Sequence, residues 1–412
     1  MHDIFLCDTA NEPMNPLCEN LKTVILLCSS SRGGSSITTE WLRQHTGILH
    51  LRAEINPLLH MAKLVYPYAN TSDALTTTSG SKQQREILWN LLSQEVGSYH
   101  TSELQEIDWQ IFVGDLYSRL QWQWPDQDIS LACVQKSVDT VREELQYDTK
   151  ISSLAEFYCT LLMILRKQYP HIDPRWYDID QQSIEQYFPY LGDLIPPKKI
   201  IEEPPFVLIS PWRRASIEDL RTKPLVIKTP SNAYRIPFFR SFFSKQNLSI
   251  LHLKRKAEHA INGLMNGWMY SRGFHSHWIH SVAIKHRDIL PNLWKYDLPP
   301  AWQQFKHADL YNVCAFQWLS AHQHTQNSRN DSDNYHSIWF SSILNHDQAS
   351  IQNLWTWMGV LPQSIQPISS LPLVMASCPP RAQRWFEKQS IIAARCRKKD
   401  ILQCMEMLDE EK

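Results

Sequence analysis

The sequence predicts an α/β fold, a three-layer arrangement in which a parallel sheet carries helices on both faces. Three features predict it. An apolar, β-branched run, TVILLC at 23–28, leads directly into a Ser- and Gly-rich turn and then a helical stretch from about Ser35 to His45. Two further apolar runs, PLVIK at 224–228 and LSILHL at 248–253, are each followed by a helical stretch. Strands alternating with helices in this way put their crossovers on both sides of one sheet.

The remaining elements follow in order. Residues 69–83, ANTSDALTTTSGSKQ, are small and polar and read as a surface loop. From about 85 to 205 the pattern is mostly helical. Its clearest helix is 151–168, where Leu154, Phe157, Tyr158, Leu161, Leu162 and Leu165 recur at three- and four-residue spacing. Proline-rich IPPKK and EEPPF close this block, which reads as a helical insertion or lid within a single domain spanning 1–412. A long helix is expected over 303–323, then the polar loop TQNSRNDSDN, a strand at HSIWF and a helix over 348–358.

Composition narrows the function. Lys and Arg number 41 against 42 Asp and Glu, a net charge of −1, so general attraction to nucleic acid is not expected and any anion site must be built locally. The nine Cys have no metal-ligand spacing, which fits reduced thiols in a cytoplasmic protein. The N-terminal MHDIFLCDTANEPMNP carries acids and prolines where a signal peptide has a basic and then an apolar region. No apolar run approaches the length of a membrane span.

The turn after the first strand reads CSSSRGGSSITTEW over 28–41. Gly33 and Gly34 permit positive φ and close backbone approach, Ser35 and Ser36 open the helix, and Arg32 supplies a full charge. Free N–H groups and the helix dipole complete an anion cradle. An ordinary serine-capped turn has the same pattern. It is not a Walker A loop, because no Gly-Lys-[Ser/Thr] ends it.

Arg32-Gly33-Gly34-Ser35-Ser36 resembles the 5′-phosphosulfate loop of sulfotransferases. Cytosolic members follow it with a Trp that stacks on adenine; here Ile37 stands there. Lys228-Thr229-Pro230 is similar to the family's Lys-[Thr/Ser]-Pro segment, whose Lys contacts the phosphosulfate bridge. The cytosolic group's catalytic His falls at Pro230. The family's 3′-phosphate motif is an apolar strand ending in Arg, with Pro two and Ser eight positions on. Arg255 matches the Arg, Ala257 replaces the Pro, and Gly263 replaces the Ser with Asn262 beside it. Residues 337–360 resemble the late strand and helix without their acidic residues. In SCPPRAQRWFEK, Arg381 and Arg384 are candidates for a basic C-terminal loop.

The resemblance implies a sulfotransferase with 3′-phosphoadenosine 5′-phosphosulfate as donor, its bisphosphate as product and no metal. The acceptor would be a hydroxyl or amine of a small molecule such as a specialised metabolite. Arg32, Gly33, Gly34, Ser35, Ser36, Arg255 and Asn262 would bind the donor, with Arg32 and Lys228 stabilising the leaving phosphate. Glu40 is the expected base. It lies four residues beyond Ser36 on the same helix face, and some bacterial sulfotransferases carry Glu at this distance from the loop Arg. Glu54 and His60 are candidate acceptor contacts, with His45 and His50 as alternative bases. A small-molecule kinase and a nucleotide-binding relative without turnover are the rival readings.

Overall fold

The computed structural model describes residues 15–68, 71–99, 107–148, 150–194, 199, 201–270, 276–329, 334–371 and 384–409. Its strands are β1 (Thr23–Cys28), β2 (Leu49–Leu51), β3 (Val96–Tyr99), β4 (Trp212–Arg214), β5 (Leu225–Lys228), β6 (Asn247–Lys254), β7 (Ser276–Trp278), β8 (Leu293–Lys295) and β9 (Tyr335–Trp339). Seven of them form one sheet in the order β4-β3-β2-β5-β1-β6-β9, and β7 and β8 form a hairpin. From β2 to β9 the neighbours are parallel; β3 and β4 extend the β2 edge antiparallel.

β1 is buried because it is central, and its side chains alternate between two cores. Val24, Leu26 and Cys28 face one side with Leu225 and Ile227, packed under helices Asn56–Met61, Lys82–Glu95 and Ile236–Phe242. Ile25 and Leu27 face the other with Val226, Leu251 and Leu253, covered by helices Ser35–Arg43 and Gln348–Met358. There Trp41 stacks on Trp355, ring centroids 5.0 Å apart. A further core joins helices Ala257–Met269, Leu310–Asn327 and Lys399–Asp409 to Trp294 of β8.

The predicted strands at 23–28, 224–228 and 248–253 are β1, β5 and β6, HSIWF falls on β9, and the helix over 348–358 is present. The helix expected over 303–323 differs. A 3-10 turn covers Trp302–Phe305, and the α-helix, Leu310–Asn327, starts only where the Asp309 side chain accepts the Asn312 N–H. Within 85–205, read as mostly helical, Val96–Tyr99 is a strand of the main sheet. Residues 71–81 are irregular up to the capping box that opens helix Lys82–Glu95. Residues 69 and 70 and most of IPPKK lie outside the described residues.

Helices Trp109–Gln123, Leu131–Leu145, Leu154–Arg166 and Gln181–Tyr187 enclose a core of their own, built on Phe157, Tyr158, Leu161, Leu162 and Leu165. Buried ions tie this block to the sheet. Arg119 bridges Glu95 at 2.7 Å and Glu202 at 3.1 Å, while Arg52, just beyond β2, bridges Asp115 at 2.7 Å. All five side chains are under 10% exposed. Removing one member of such a network leaves others buried and uncompensated. Arg119→Ala should therefore lower stability by about 3–5 kcal/mol, read from the urea midpoint at unchanged slope. A loss below about 1 kcal/mol would mean that Glu95 and Glu202 find other partners.

Candidate functional site

Parallel register brings the candidate residues to one sheet edge. Leu27 of β1 pairs with Lys228 of β5, and Cys28 pairs with His252 of β6. The carboxyl ends of the three central strands therefore open together, where α/β sheets place ligands. Asn232 reinforces this edge by donating to the carbonyls of Ile227 (3.1 Å) and Leu27 (3.4 Å). A cavity of about 220 Å³ opens there, lined by Arg32, Gly34, Ser35, Ser36, Glu54, Lys228, Arg255 and Asn262 among others.

The loop after β1 closes with a Gly33 N–H to Ser30 carbonyl hydrogen bond of 2.9 Å. Arg32 is left-handed (φ 59°) and so is Gly34 (φ 99°). A Cβ on Gly33 would stand 2.7 Å from the Ser30 carbonyl, and one on Gly34 would stand 2.5 Å from the Phe340 ring. Both positions are glycine for lack of space, and Gly34 also for its backbone angle. Gly34 caps helix Ser35–Arg43 without a side-chain hydrogen bond. First-turn N–H groups lack partners within a helix and are natural anion ligands.

Arg255 follows β6 and donates to the Arg32 carbonyl at 2.7 Å, holding the left-handed residue in place. Its guanidinium lies over Phe340, 5.1 Å from the ring centroid. Among the described residues no carboxylate pairs with it. Burial, and then the charge of Arg32, pull its pKa down to about 10. Two crowded cations in a partly desolvated cavity fit an anion. His259, Asn262, Gly263 and Asn266 line the same wall from one face of helix Ala257–Met269. Gly263, where a Ser was expected by resemblance, has its Cβ position 3.3 Å from the Arg32 Cβ, so a larger residue would crowd the arginine.

Lys228 donates to Ser36 Oγ at 2.8 Å and forms a close ion pair with Glu54. Glu54 lies just beyond β2 and lines the cavity. Glu40 does not. Its carboxylate is taken by Arg43, which also donates to the Leu51 and Arg52 carbonyls and so fastens the helix to the end of β2. His60 also lies off the lining, its ring 5.1 Å from that of Tyr68. His45 bonds the Leu361 carbonyl and the Gly47 N–H. His50 is buried with both ring nitrogens unpartnered, and burial pushes its pKa well below the usual range. Arg384 lines the cavity; Arg381 lies outside the described residues.

Further lining residues come from several segments. Trp385 meets His259 edge-on, 6.3 Å between centroids. Thr229 Oγ1 is buried without a partner. Asp297, two residues beyond β8, accepts from Ser31 Oγ at 2.5 Å and from the Tyr234 hydroxyl at 2.7 Å. Glu202, Glu203, Pro204, Pro205 and Val207 also line the cavity. Glu202 shapes this segment by accepting the Val207 N–H at 3.0 Å. Among the described residues no His, Cys, Asp and Glu group forms a metal cluster, and no helix is long and apolar enough to cross a membrane.

No protein-family model matches the chain, and no curated protein matches it. Among solved structures, the chain is similar to the sulfotransferase domain of the Synechococcus PCC 7002 olefin synthase, at 12% identity and a TM-score of 0.37, covering 95% of each chain. It is also similar to the sulfotransferase domain of the curacin biosynthetic pathway, at 12% identity and a TM-score of 0.35, covering 84% of this chain and 76% of that one. A Mycobacterium tuberculosis sulfotransferase follows at 9% identity and a TM-score of 0.31, covering 83% and 68%. Likenesses this distant carry no chemistry across.

The glycine geometry is directly testable. Gly34→Ala places a methyl group against Phe340 and forces a left-handed alanine, so stability should fall by about 1–3 kcal/mol. Phe340→Ala in the same chain should recover only the steric part. Full recovery, measured by urea unfolding, would show that the backbone angle carries no strain.

Proposed function

We propose that the chain is a sulfotransferase that uses 3′-phosphoadenosine 5′-phosphosulfate as donor and a small molecule as acceptor. The observation that carries this reading is Arg255. It is a partly buried cation with no carboxylate partner among the described residues, bonded to the Arg32 carbonyl and on the lining of one cavity with the glycine loop. That supports two anion positions in one site. Arg32, the first-turn amides, Ser36 and Lys228 would hold a 5′-phosphosulfate. Arg255 with Asn262 and His259 would hold a 3′-phosphate. The Thr229 hydroxyl, on the cavity lining and without a partner among the described residues, fits a ligand close against the backbone. Trp385 and Phe340 supply the aromatic surface that Ile37 does not.

The donor supplies an activated sulfuryl group, whose transfer resembles in-line phosphoryl transfer. On the chain's side, Lys228 and Arg32 stabilise charge on the leaving phosphate. A carboxylate takes the acceptor proton as the new sulfur–oxygen or sulfur–nitrogen bond forms. Glu54 is better placed for this than Glu40, since it lines the cavity and Glu40 is not on the lining. Glu202, Glu203, Pro204, Pro205 and Val207, on the same lining, would bound the acceptor and keep water out.

Two measurements test the reading. Calorimetry with EDTA present should give tighter binding of 3′-phosphoadenosine 5′-phosphate than of AMP. Arg255→Ala should remove that preference, a loss of about 2–5 kcal/mol for the bisphosphate alone. Equal weakening of both nucleotides would make Arg255 a structural residue. Turnover of radiolabelled donor over a panel of phenols, alcohols and amines should fall about 10²–10⁴-fold in Glu54→Gln, while bisphosphate binding is kept, since the substitution removes negative charge beside Lys228. The larger loss in Glu40→Gln would assign the base to Glu40 instead.

A further inference from the structure

Asp297 is a buried acid on the wall of an anion site, and its neighbours do not neutralise it. It is 2% exposed. Both oxygens accept from neutral hydroxyls, Ser31 on one side and Tyr234 on the other. Among the described residues no cation forms an ion pair with it. The charged and titratable groups around it come from four directions. Asp73, from the segment before helix Lys82–Glu95, adds like charge. Arg235 feels Asp297 but is committed to Asp73 and to Asn56. Tyr234 donates to it, and the His324 ring lies 5.2 Å from the Tyr234 ring. Cys314 faces it from helix Leu310–Asn327. Beside it in sequence, Tyr296 lines the cavity and senses Arg32.

Ser31 is the link to the ligand. It lines the cavity immediately before Arg32, and its hydroxyl has one hydrogen. While Asp297 is ionised, that hydrogen is given to the carboxylate and Ser31 can only accept. It then presents a lone pair to any anion in the loop. If Asp297 carries a proton, the direction reverses: Asp297 donates to Ser31, and Ser31 turns its hydrogen to the ligand. From these contacts we infer that Asp297 is a positioning residue that takes up a proton when a phosphate or phosphosulfate enters the loop, so that Ser31 becomes a donor to it. The inference rests on the anion reading of the cavity given above.

The proton balance has a definite sign. Burial, with Asp73 adding, already pushes Asp297 up to about 6. At neutral pH the free protein holds it mostly ionised. A polyanion beside it favours the protonated form further. Binding therefore takes up a proton at pH above about 6, and affinity falls as pH rises, by up to about tenfold per unit. The nucleotide's own phosphates ionise near about pH 6, so the window to use lies above about pH 7.

The experiment is calorimetric titration of the full chain with 3′-phosphoadenosine 5′-phosphate at about pH 7.5, in buffers of differing ionisation enthalpy. Wild type should take up close to one proton per nucleotide. Asp297→Asn keeps both hydrogen bonds in the protonated sense, with its amide donating to Ser31. It should lose that uptake, flatten the affinity profile between about pH 7 and 8.5, and bind at least as tightly as wild type at the upper end. Any uptake by His259 stays in both proteins and cancels in the difference. Ser31→Ala should weaken binding in both backgrounds. Equal uptake in wild type and Asp297→Asn overturns the inference, as does a pH-independent loss of affinity in the variant; either leaves the sulfotransferase reading standing. Absence of nucleotide binding to wild type overturns that reading and this inference with it.

Discussion

β1 is paired in parallel on both sides, with β5 and β6, and the registers leave Arg32, Lys228 and Arg255 little choice of position. Each follows an apolar strand that ends at the same edge. Parallel strands cannot be joined by tight turns, so their crossovers carry helices whose N-termini point to that edge. Positive charge thus gathers at one place in a chain whose net charge is −1. Burial, and then the nearby charge of Arg32, depress the pKa of Arg255 at this edge. Rigid packing above and below the sheet keeps the cations from relaxing apart.

The legible part of the sequence was the part where local pattern and chemistry coincide. Arg32, Lys228 and Arg255 each sit one to four residues past an apolar run, and the run announces both strand and edge. β2, β3 and β4 are three or four residues long and take their strand character from neighbours, so nothing in LHL, VGSY or WRR marks them. Glu40 exposes a limit of helical spacing. Periodicity places Glu40 on the face of Ser36 but does not say what the face meets, and Arg43, three residues on, takes the carboxylate. Asp297 reaches the cavity from a distant segment with no motif around it, and Phe340 and Trp385 lie in late segments whose pattern marked neither ring. Gly263 was legible as a departure from the sulfotransferase motif, but its cause is the Arg32 side chain packed on it, which only the fold brings near.

Buried ions do a different task at the helical block. Arg52, Asp115, Glu95, Arg119 and Glu202 lie where the helical block meets the sheet, and apolar residues of similar volume would serve stability as well or better. Charged partners with fixed hydrogen-bond geometry instead specify one way for the block to sit. Glu202 is the last of them, and it hands that orientation to the chain that follows by accepting the Val207 N–H.

That hand-over gives the cavity walls from separate parts of the chain. The edge of β1, β5 and β6 brings Arg32, Lys228 and Arg255, the segment positioned through Glu202 brings Pro204, Pro205 and Val207, and Glu54, Tyr296, Phe340 and Trp385 come from other segments. The pairs Arg52–Asp115 and Arg119–Glu95 cross the boundary of the helical block, so a replacement block must bring its own partners for Arg52 and Glu95. A block that does so could present a different 202–207 turn to the same cationic edge. Recombination in the laboratory therefore needs junctions in the irregular chain at 107–108 and 208–211 and an acid and a base kept at the buried positions of Asp115 and Arg119.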